Sequence, residues 1–373
     1  MKRPLQNHAV MAASNSDESF IQEGGNILNV DKVAKAIAYL RKRAGYTQKD
    51  LAERLGVSDK AVSKWERALG LPDVSCLRKL SILLDTDTDS LLAGDVIHHD
   101  SGWYGILCLD QTQNGIGLQT MIYDKPMVYF LLGYFLLVGI KKILIVCSDK
   151  EIKYMKSQFG NGNELGVELC YSSEPASEAL AKSITLNDCS NCMIVYGRSL
   201  IYGVDQTRFF QKAMAHKDRL TVLSLPRGSK PTRQKLCFDN DKKIICATDG
   251  EELTTQYDYY DIPVVFCPKN LLNSVIEAIA EGSIAENSAL KNRYLYTEVL
   301  DRGFVEISID TWEDVMEASC FIRIVQRSCG MILYCPEEIA WRRGMISAND
   351  LVRLGKKQSA LEYGRYLLSL VHE

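Results

Sequence analysis

The sequence lacks an apolar run long enough to cross a membrane. Its longest such run, MVYFLLGYFLLVGI at 127–140, has about 14 residues, whereas a membrane-spanning helix needs about 20. The first twenty residues also lack the apolar core of a secretory signal peptide. We therefore expect a soluble, cytoplasmic protein in which residues 127–140 form a buried helix.

A strong overall charge and a complete set of zinc-binding cysteines are missing too. The formal net charge is −3, so any surface that binds nucleic acid must be local. The 12 cysteines lie mostly in apolar runs, which is typical of reduced, buried thiols rather than of a disulfide framework. Cys189 and Cys192 form the one C-x-x-C pair, and a zinc site would need further ligands. We predict no metal site and no cofactor.

The chain has 373 residues, of which 46% are hydrophobic, and this leaves room for two or three domains. We predict a polar tail at 1–28 and an all-α domain of five helices at 29–95. A linker at 96–103 leads to a larger α/β domain at 104–373, where apolar strands alternate with helical stretches.

Helix-start signals organise the first domain. Thr47, followed three residues later by Asp50, has the pattern of a capping box, and Ser58 can cap the next helix. On that next helix, Val62 and Trp65 share one face and are predicted to be buried. The opposite face carries cations and hydroxyls at helical spacing, namely Lys60, Ser63, Lys64 and Arg67.

Such a two-faced helix suits the DNA major groove. From Lys32 to Arg67 there are ten Lys or Arg against four Asp or Glu, a local net charge of about +6. The stripe alone would also fit an ordinary helical bundle with a solvated charged face.

The longer string LRKRAGYTQKDLAERLGVSDKAVSKWERALGLPDVSCLRKLSILLDTD resembles the phage-repressor type (XRE/Cro-like) helix-turn-helix family. The resemblance implies binding to double-stranded DNA through a recognition helix at Asp59 to Leu69. It also implies that Gln48, at the start of the preceding helix, lies near the DNA backbone. The DNA-binding residues predicted are Gln48, Ser58, Lys60, Ser63, Lys64 and Arg67.

The α/β domain is predicted to hold a mainly parallel, Rossmann-like sheet. Its strands are YGILCLD, KKILIVCS, NCMIVYG, RLTVLSL and IPVVFCP. Ligands of such sheets usually bind at the carboxyl ends of strands, and Arg198 follows one of them. A guanidinium has five donors and no acceptor, so it can hold an anion but not a metal ion. The first loop, LDQTQNGIGLQ, is a poor phosphate cradle because it contains neither Lys nor Arg.

Several segments in order resemble glucose-1-phosphate thymidylyltransferases. They begin with MIYDKPMVYFLLGYFLLVGIKKILIV and end with CPEEIAWRRGMISANDLVRL…YGRYLLSLV. The resemblance covers nearly all of 104–373 and implies a nucleotide-binding α/β core in a tetrameric sugar nucleotidyltransferase fold. For this chain we predict a homo-oligomer, either a dimer or a tetramer.

The chain departs from that family where the chemistry resides, and its signature triphosphate loop is missing. The loop's Lys falls at Gly117, the two metal-holding Asp at Arg198 and Ser308, the sugar-phosphate Lys at Gly250, the base-reading Gln at Glu174 and a nearby glycine at Ala179. We therefore expect a catalytically dead domain with no catalytic residues.

The leading hypothesis is a transcriptional regulator whose second domain oligomerises the protein. That domain could also sense a nucleotide sugar or a sugar phosphate through Arg198 and Glu174. The alternative is an active thymidylyltransferase with an autoregulatory DNA-binding domain. A third interpretation makes the second domain purely structural, with no ligand.

Overall fold

The computed structural model describes residues 29–43, 46–84, 86, 88–94, 102–109, 114–176, 178–179, 190–226, 235–239, 241–248, 259–281, 284, 290 and 295–371. The predicted tail, most of the predicted linker and Gly250 lie outside these residues. The chain divides into two compact units, residues 1–96 and 97–373. Among the described residues, no helix is both long and apolar enough to span a membrane.

The first unit contains the five predicted helices. They are α1 Val30–Arg43, α2 Gln48–Leu55, α3 Asp59–Glu66, α4 Val74–Leu83 and α5 Thr88–Ala93. The predicted caps are confirmed. The Asp50 backbone N–H donates to Thr47 Oγ1 (3.1 Å) in a complete capping box, and the Ala61 N–H donates to Ser58 Oγ (3.2 Å). Each cap satisfies a backbone donor that the first helical turn leaves without a partner.

Helix α3 is shorter than the predicted recognition helix. The prediction ran to Leu69, but α3 ends at Glu66 and Arg67 is its C-cap. Ala68 has a φ of 57°, and this left-handed conformation cannot continue a right-handed helix. Pro72 follows shortly afterwards, and it restricts Leu71 to extended conformations.

The second unit is built on a nine-stranded mixed sheet. The strands of the unit are β1 Trp103–Cys108, β2 Met121–Ile122, β3 Lys125–Pro126, β4 Lys142–Val146, β5 Glu168–Ser172, β6 Asn191–Val195, β7 Ser199–Tyr202, β8 Leu220–Pro226, β9 Lys235–Phe238, β10 Ile244–Thr248, β11 Tyr259–Pro268, β12 Leu295–Val299 and β13 Val305–Ser308. The order in the sheet is β10-β9-β11-β6-β1-β4-β5, with β8 paired to β11 and β12 paired to β8. Strands β6, β1, β4 and β5 are parallel, whereas β11 runs antiparallel to β6.

The five predicted strands correspond to β1, β4, β6, β8 and β11, which confirms the α/β class. The helices of this unit are α6 Met127–Leu137, α7 Asp149–Phe159, α8 Gln206–Ala215, α9 Leu272–Ala280, α10 Trp312–Cys329, α11 Pro336–Arg342, α12 Ala348–Lys357 and α13 Glu362–Ser369. The predicted buried helix is α6, whose Tyr134 and Phe135 are fully buried.

Apolar cores lie on both faces of the sheet. Along β1, Leu107 belongs to the cluster that includes Phe130 of α6, and its neighbour Ile106 belongs to the cluster that includes Val275 of α9. This alternation follows from the period of two in a strand. Because both faces are covered, the parallel strands are apolar along most of their length, and polar side chains are expected at the strand ends.

Candidate functional site

The outward face of α3 carries the residues predicted to bind DNA. Lys60, Lys64 and Arg67 are exposed, and Ser63 is half-buried. Val62 and Trp65 on the opposite face belong to the core of the first unit. The two faces are therefore separated as predicted, while the contact of this stripe with DNA stays a prediction.

A polar cluster at Glu66 connects three helices. Arg41 of α1 donates from Nε to Glu66 Oε1 (2.5 Å) and from Nη2 to Oε2 (3.0 Å). Gln48 of α2 donates from Nε2 to the same Oε2 (2.7 Å). The hydrogen bond to Glu66 raises the pKa of Arg41, against the opposing effect of desolvation. Because its amide is held by Glu66, Gln48 is fixed in orientation at the start of α2.

The sequence did not reveal Arg41 and Glu66 as partners. They are 25 positions apart, so no local spacing rule links them. The available signal was an acidic residue next to the stripe of cations on α3, and this signal is weak because charged residues on helices are usually solvated.

A concave surface of about 580 Å³ lies at the start of α2. It is lined by Arg41, Lys42, Tyr46, Thr47, Gln48, Lys49 and Asp59. Lys42 and Lys49 are exposed, and neither was singled out from the sequence. Helix N-termini favour anions because their first N–H groups point outward, so this surface has the chemistry to hold a phosphate.

In the second unit, the structure brings Arg198 and Ser308 together. Strands β7 and β13 are antiparallel, and Ser199 lies opposite Ser308 in their register. The backbone N–H of Ile309 donates to the carbonyl oxygen of Arg198 (2.7 Å). The two positions predicted to align with the family's metal-holding Asp residues are therefore neighbours in the structure.

Glu306, which the sequence analysis missed, lies beside this pair. Its side chain is buried, with the residue only 4% exposed. Glu306 Oε1 accepts hydrogen bonds from Ser199 Oγ (2.6 Å) and Ser308 Oγ (3.0 Å). Behind them, Tyr134 Oη donates to the Ser199 carbonyl oxygen (3.0 Å), and burial raises the pKa of this tyrosine. A carboxylate inside the apolar strand β13 was the sequence signal available.

The residues at the two aligned positions do not fit a magnesium ion. Mg²⁺ is held by carboxylate and phosphate oxygens, whereas these positions supply a guanidinium and a hydroxyl. The neighbouring carboxylate of Glu306 already accepts from two serine hydroxyls. In the described parts of the chain, no group of three or more His, Cys, Asp or Glu side chains is placed to hold a metal.

The other predicted positions lie apart from Arg198. Gly117, where the family's loop Lys falls, is buried, and its N–H donates to Thr120 Oγ1 (3.0 Å). Glu174 is half-buried two residues beyond the end of β5, and Arg198 lies three residues beyond the end of β6. Three strand spacings separate β5 from β6, which is about 14 Å. Glu174 and Arg198 could therefore touch one ligand only if it is extended.

Comparisons with known proteins agree with this division. Residues 37–91 match the family model "Helix-turn-helix", and residues 113–234 match "Nucleotidyl transferase". Residues 37–91 form a helix-turn-helix domain, joined to a nucleotidyl transferase-like domain. The predicted fusion is thereby confirmed, and the degeneracy of the second domain stays a prediction.

Similar curated proteins are glucose-1-phosphate thymidylyltransferases. The Neisseria meningitidis protein is 27% identical over 69% of this chain and 93% of its own length. The Mycolicibacterium smegmatis protein is 26% identical over 69% and 92%, and the Xanthomonas campestris pv. campestris protein is 28% identical over 69% and 90%. The match therefore extends over almost the whole length of these relatives.

Proposed function

We propose that this protein is a transcriptional regulator. Its helix-turn-helix domain binds double-stranded DNA, and its nucleotidyl transferase-like domain is catalytically inactive and holds copies of the protein together. The outward stripe of cations on α3, opposite a buried Trp65, is the observation that carries the proposal. A DNA-binding role and reduced cysteines both favour action in the cytoplasm.

In this proposal α3 enters the major groove, and the start of α2 lies against the phosphate backbone. Lys60, Lys64 and Arg67 point outward and can reach base edges or phosphates. Gln48, held by Glu66, and the exposed Lys49 lie where a phosphate would approach the N-terminus of α2. A recognition helix as short as α3 reads few base pairs, so pairing of two copies on two half-sites is expected.

Binding to DNA can be tested without knowledge of the operator. Sequences are selected from a random duplex library with the full chain, and the affinity for the winning sequence is measured by fluorescence anisotropy. We expect Lys64→Ala and Arg67→Ala each to weaken specific binding by about 1–3 kcal/mol. Lys79→Ala, an exposed lysine of α4, is the matched control and should bind as the parent does. Equal affinities for all variants would refute the placement of α3.

Inactivity of the second domain is proposed from Arg198 and Ser308, which are neighbours and are predicted to align with the family's metal-holding Asp residues. An active thymidylyltransferase with DNA binding as autoregulation is the second candidate. It is favoured by the names of the relatives, which this chain matches over most of their length. Turnover assays decide between the two.

The inactive domain is also proposed to sense a phosphorylated sugar. A guanidinium can pair bidentately with a phosphate without a metal ion, and Arg198 occupies the strand end where ligands of such sheets bind. Glu174 could accept hydrogen bonds from the distant end of a nucleotide sugar. A thermal-shift screen with nucleotide sugars and sugar phosphates tests this, because ligand binding raises apparent stability. Arg198→Ala should abolish the shift and leave DNA affinity intact, whereas absence of any shift would favour a purely structural domain.

A further inference from the structure

Helix α10 of the nucleotidyl transferase-like domain has one face that is not covered by its own chain. Its buried residues, Val315, Ala318 and Ile322, pack into the domain. The exposed positions follow the helical repeat along the opposite face. They are Trp312, Glu313, Met316, Glu317, Cys320, Arg323, Ile324, Arg327 and Ser328, and the last helical residue, Cys329, is exposed as well.

This exposed face is symmetric about Cys320. When the helix is paired with itself in the opposite direction, the positions from Trp312 to Ser328 fall into five pairs, and the charged ones among them are matched. The pairs are Trp312 with Ser328, Glu313 with Arg327, Met316 with Ile324, Glu317 with Arg323, and Cys320 with itself. An acid faces a base in every charged pair, and apolar side chains face each other between the charged pairs.

The charges on this face are unfavourably placed within one helix. Glu313 and Glu317 are like charges at i,i+4, and so are Arg323 and Arg327; such pairs destabilise a helix. Among the described residues, none of the four forms an ion pair. The helix dipole favours acids in the first turn and bases in the last, but Glu317 and Arg323 lie in the middle of α10.

The same face exposes large apolar side chains. Trp312 is 56%, Met316 69% and Ile324 60% exposed. Tyr123, which is also exposed, adjoins the helix, since its backbone N–H donates to Ser319 Oγ (3.0 Å). Neighbouring exposed apolar residues mark interaction surfaces more often than scattered single ones do.

We propose that α10 is the contact between two copies of this chain and packs antiparallel against α10 of the second copy. The two-fold axis passes at Cys320, so the contact is self-complementary as two-fold symmetry requires. At 1.5 Å per residue, the pair Glu317–Arg323 lies about 4.5 Å from the axis and the pair Glu313–Arg327 about 10.5 Å. This inference rests on the proposed function, in which this domain holds copies of the protein together, and it adds the surface through which two copies make contact.

Charge reversal tests the contact in the full chain. Glu317→Arg alone and Arg323→Glu alone each create two repulsive contacts by symmetry, and like charges across an interface weaken association. By sedimentation velocity we expect each single variant to dimerise at least about 10-fold more weakly. The double variant Glu317→Arg, Arg323→Glu restores both attractions, so its dimerisation should return to within about 3-fold of the parent. Glu277→Arg, at an exposed position on α9, is the control and should change nothing.

Cysteine crosslinking tests the axis independently. A short bis-maleimide should join the two Cys320 thiols, so that the crosslinked dimer is lost in Cys320→Ser and kept in Cys329→Ser. Both cysteines are exposed, but Cys329 lies nine residues from the axis, which places it about 27 Å from its twin in an antiparallel pair. Crosslinking through Cys329 instead would overturn the arrangement.

The outcomes distinguish the α10 contact from dimerisation of the chain as such. A parent protein that dimerises while neither single charge reversal weakens it overturns the α10 contact and leaves the proposed pairing intact. A parent protein that is monomeric at micromolar concentration overturns both. Rescue by the double variant supports the contact even if one single variant folds poorly, because it contains both substitutions.

Discussion

The helix-turn-helix domain and the nucleotidyl transferase-like domain differ in what each retains. The first unit keeps its caps, its buried Trp65 and an outward stripe of cations on α3. The second keeps a mixed sheet covered on both faces, but its strand end presents Arg198 and Ser308 where its relatives are expected to hold a metal. Apolar cores preserve a fold, whereas a handful of polar side chains preserve an activity.

A packed polar cluster lies at this strand end of the second unit. Glu306, at 4% exposure, accepts hydrogen bonds from Ser199 and Ser308. Ser308, predicted to align with a metal-holding Asp of the family, therefore helps to satisfy a buried carboxylate. A buried polar group costs free energy unless it is hydrogen-bonded, so this cluster now contributes to stability.

The largest effect expected concerns turnover. The protein with magnesium, dTTP and glucose 1-phosphate should release no pyrophosphate above background. Enzymes typically accelerate their reactions by about 10⁶-fold or more, so an active domain would be easily distinguished from an inactive one. A coupled phosphate assay with a working thymidylyltransferase as positive control measures this. Metal-dependent release that Arg198→Ala abolishes would show that the second domain retains its activity.

Restoring the carboxylates should not restore the activity. Arg198→Asp together with Ser308→Asp supplies two carboxylates, but by the predicted alignment Gly117 replaces the loop Lys that binds the triphosphate in the family. Gly117 is buried and its N–H is occupied by Thr120. Turnover by the double variant would show that the loop is dispensable and that two substitutions alone silenced the domain.

Local signals in the sequence predicted much of this fold, and distant contacts were missed. Thr47 and Ser58 predicted the starts of two helices, and apolar runs predicted the five strands. These predictions succeed because helix capping and the burial pattern of a strand depend on residues that are close in sequence. The predicted end of α3 was wrong because an alanine in the sequence does not signal the left-handed backbone conformation that Ala68 adopts. Glu306 was missed because its partner Ser199 is 107 positions away.

The next effect is a difference in stability between substitutions on the two faces of α3. Trp65→Ala removes a buried aromatic ring from the core of the first unit, which should destabilise it by about 3–5 kcal/mol. Its neighbour Lys64→Ala should change stability by less than about 0.5 kcal/mol. Hydrogen exchange of the α1–α3 amides in the full chain reports each local free energy. Similar losses for the two variants would mean that the faces are not separated as described.

A smaller effect is expected at the polar cluster that orients Gln48. Glu66→Ala removes the acceptor of Arg41 and Gln48, and hydrogen bonds to charged groups are worth about 1.5–3 kcal/mol. Glu53→Ala is the matched control, because its pair with Lys49 is solvent-exposed, at 67% and 79%, and such pairs contribute about 0–1 kcal/mol. Hydrogen exchange of α2 measures both. Equal effects would show that the cluster does not hold the helices together.

The smallest effect expected is on stability, when a second carboxylate is placed beside Glu306 at the strand end. Ser308→Asp places a second carboxylate against Glu306, whereas Ser308→Asn has the same shape without the charge. Two adjacent carboxylates raise the pKa of the pair, and each unit of that rise is worth about 1.4 kcal/mol.

At pH 7 the Ser308→Asp variant should therefore unfold more readily than Ser308→Asn by about 1–2 kcal/mol. The sign follows from linkage: raised pKa values in the folded state penalise folding above the unfolded pKa of about 4, and the penalty disappears as both carboxyls protonate at lower pH. Denaturant titrations at pH 7 and pH 4 measure this difference. Equal stability of the two variants at pH 7 would mean that the new carboxylate finds a counter-charge at this strand end. The strand end would then be an anion site that tolerates carboxylates rather than a filled metal site.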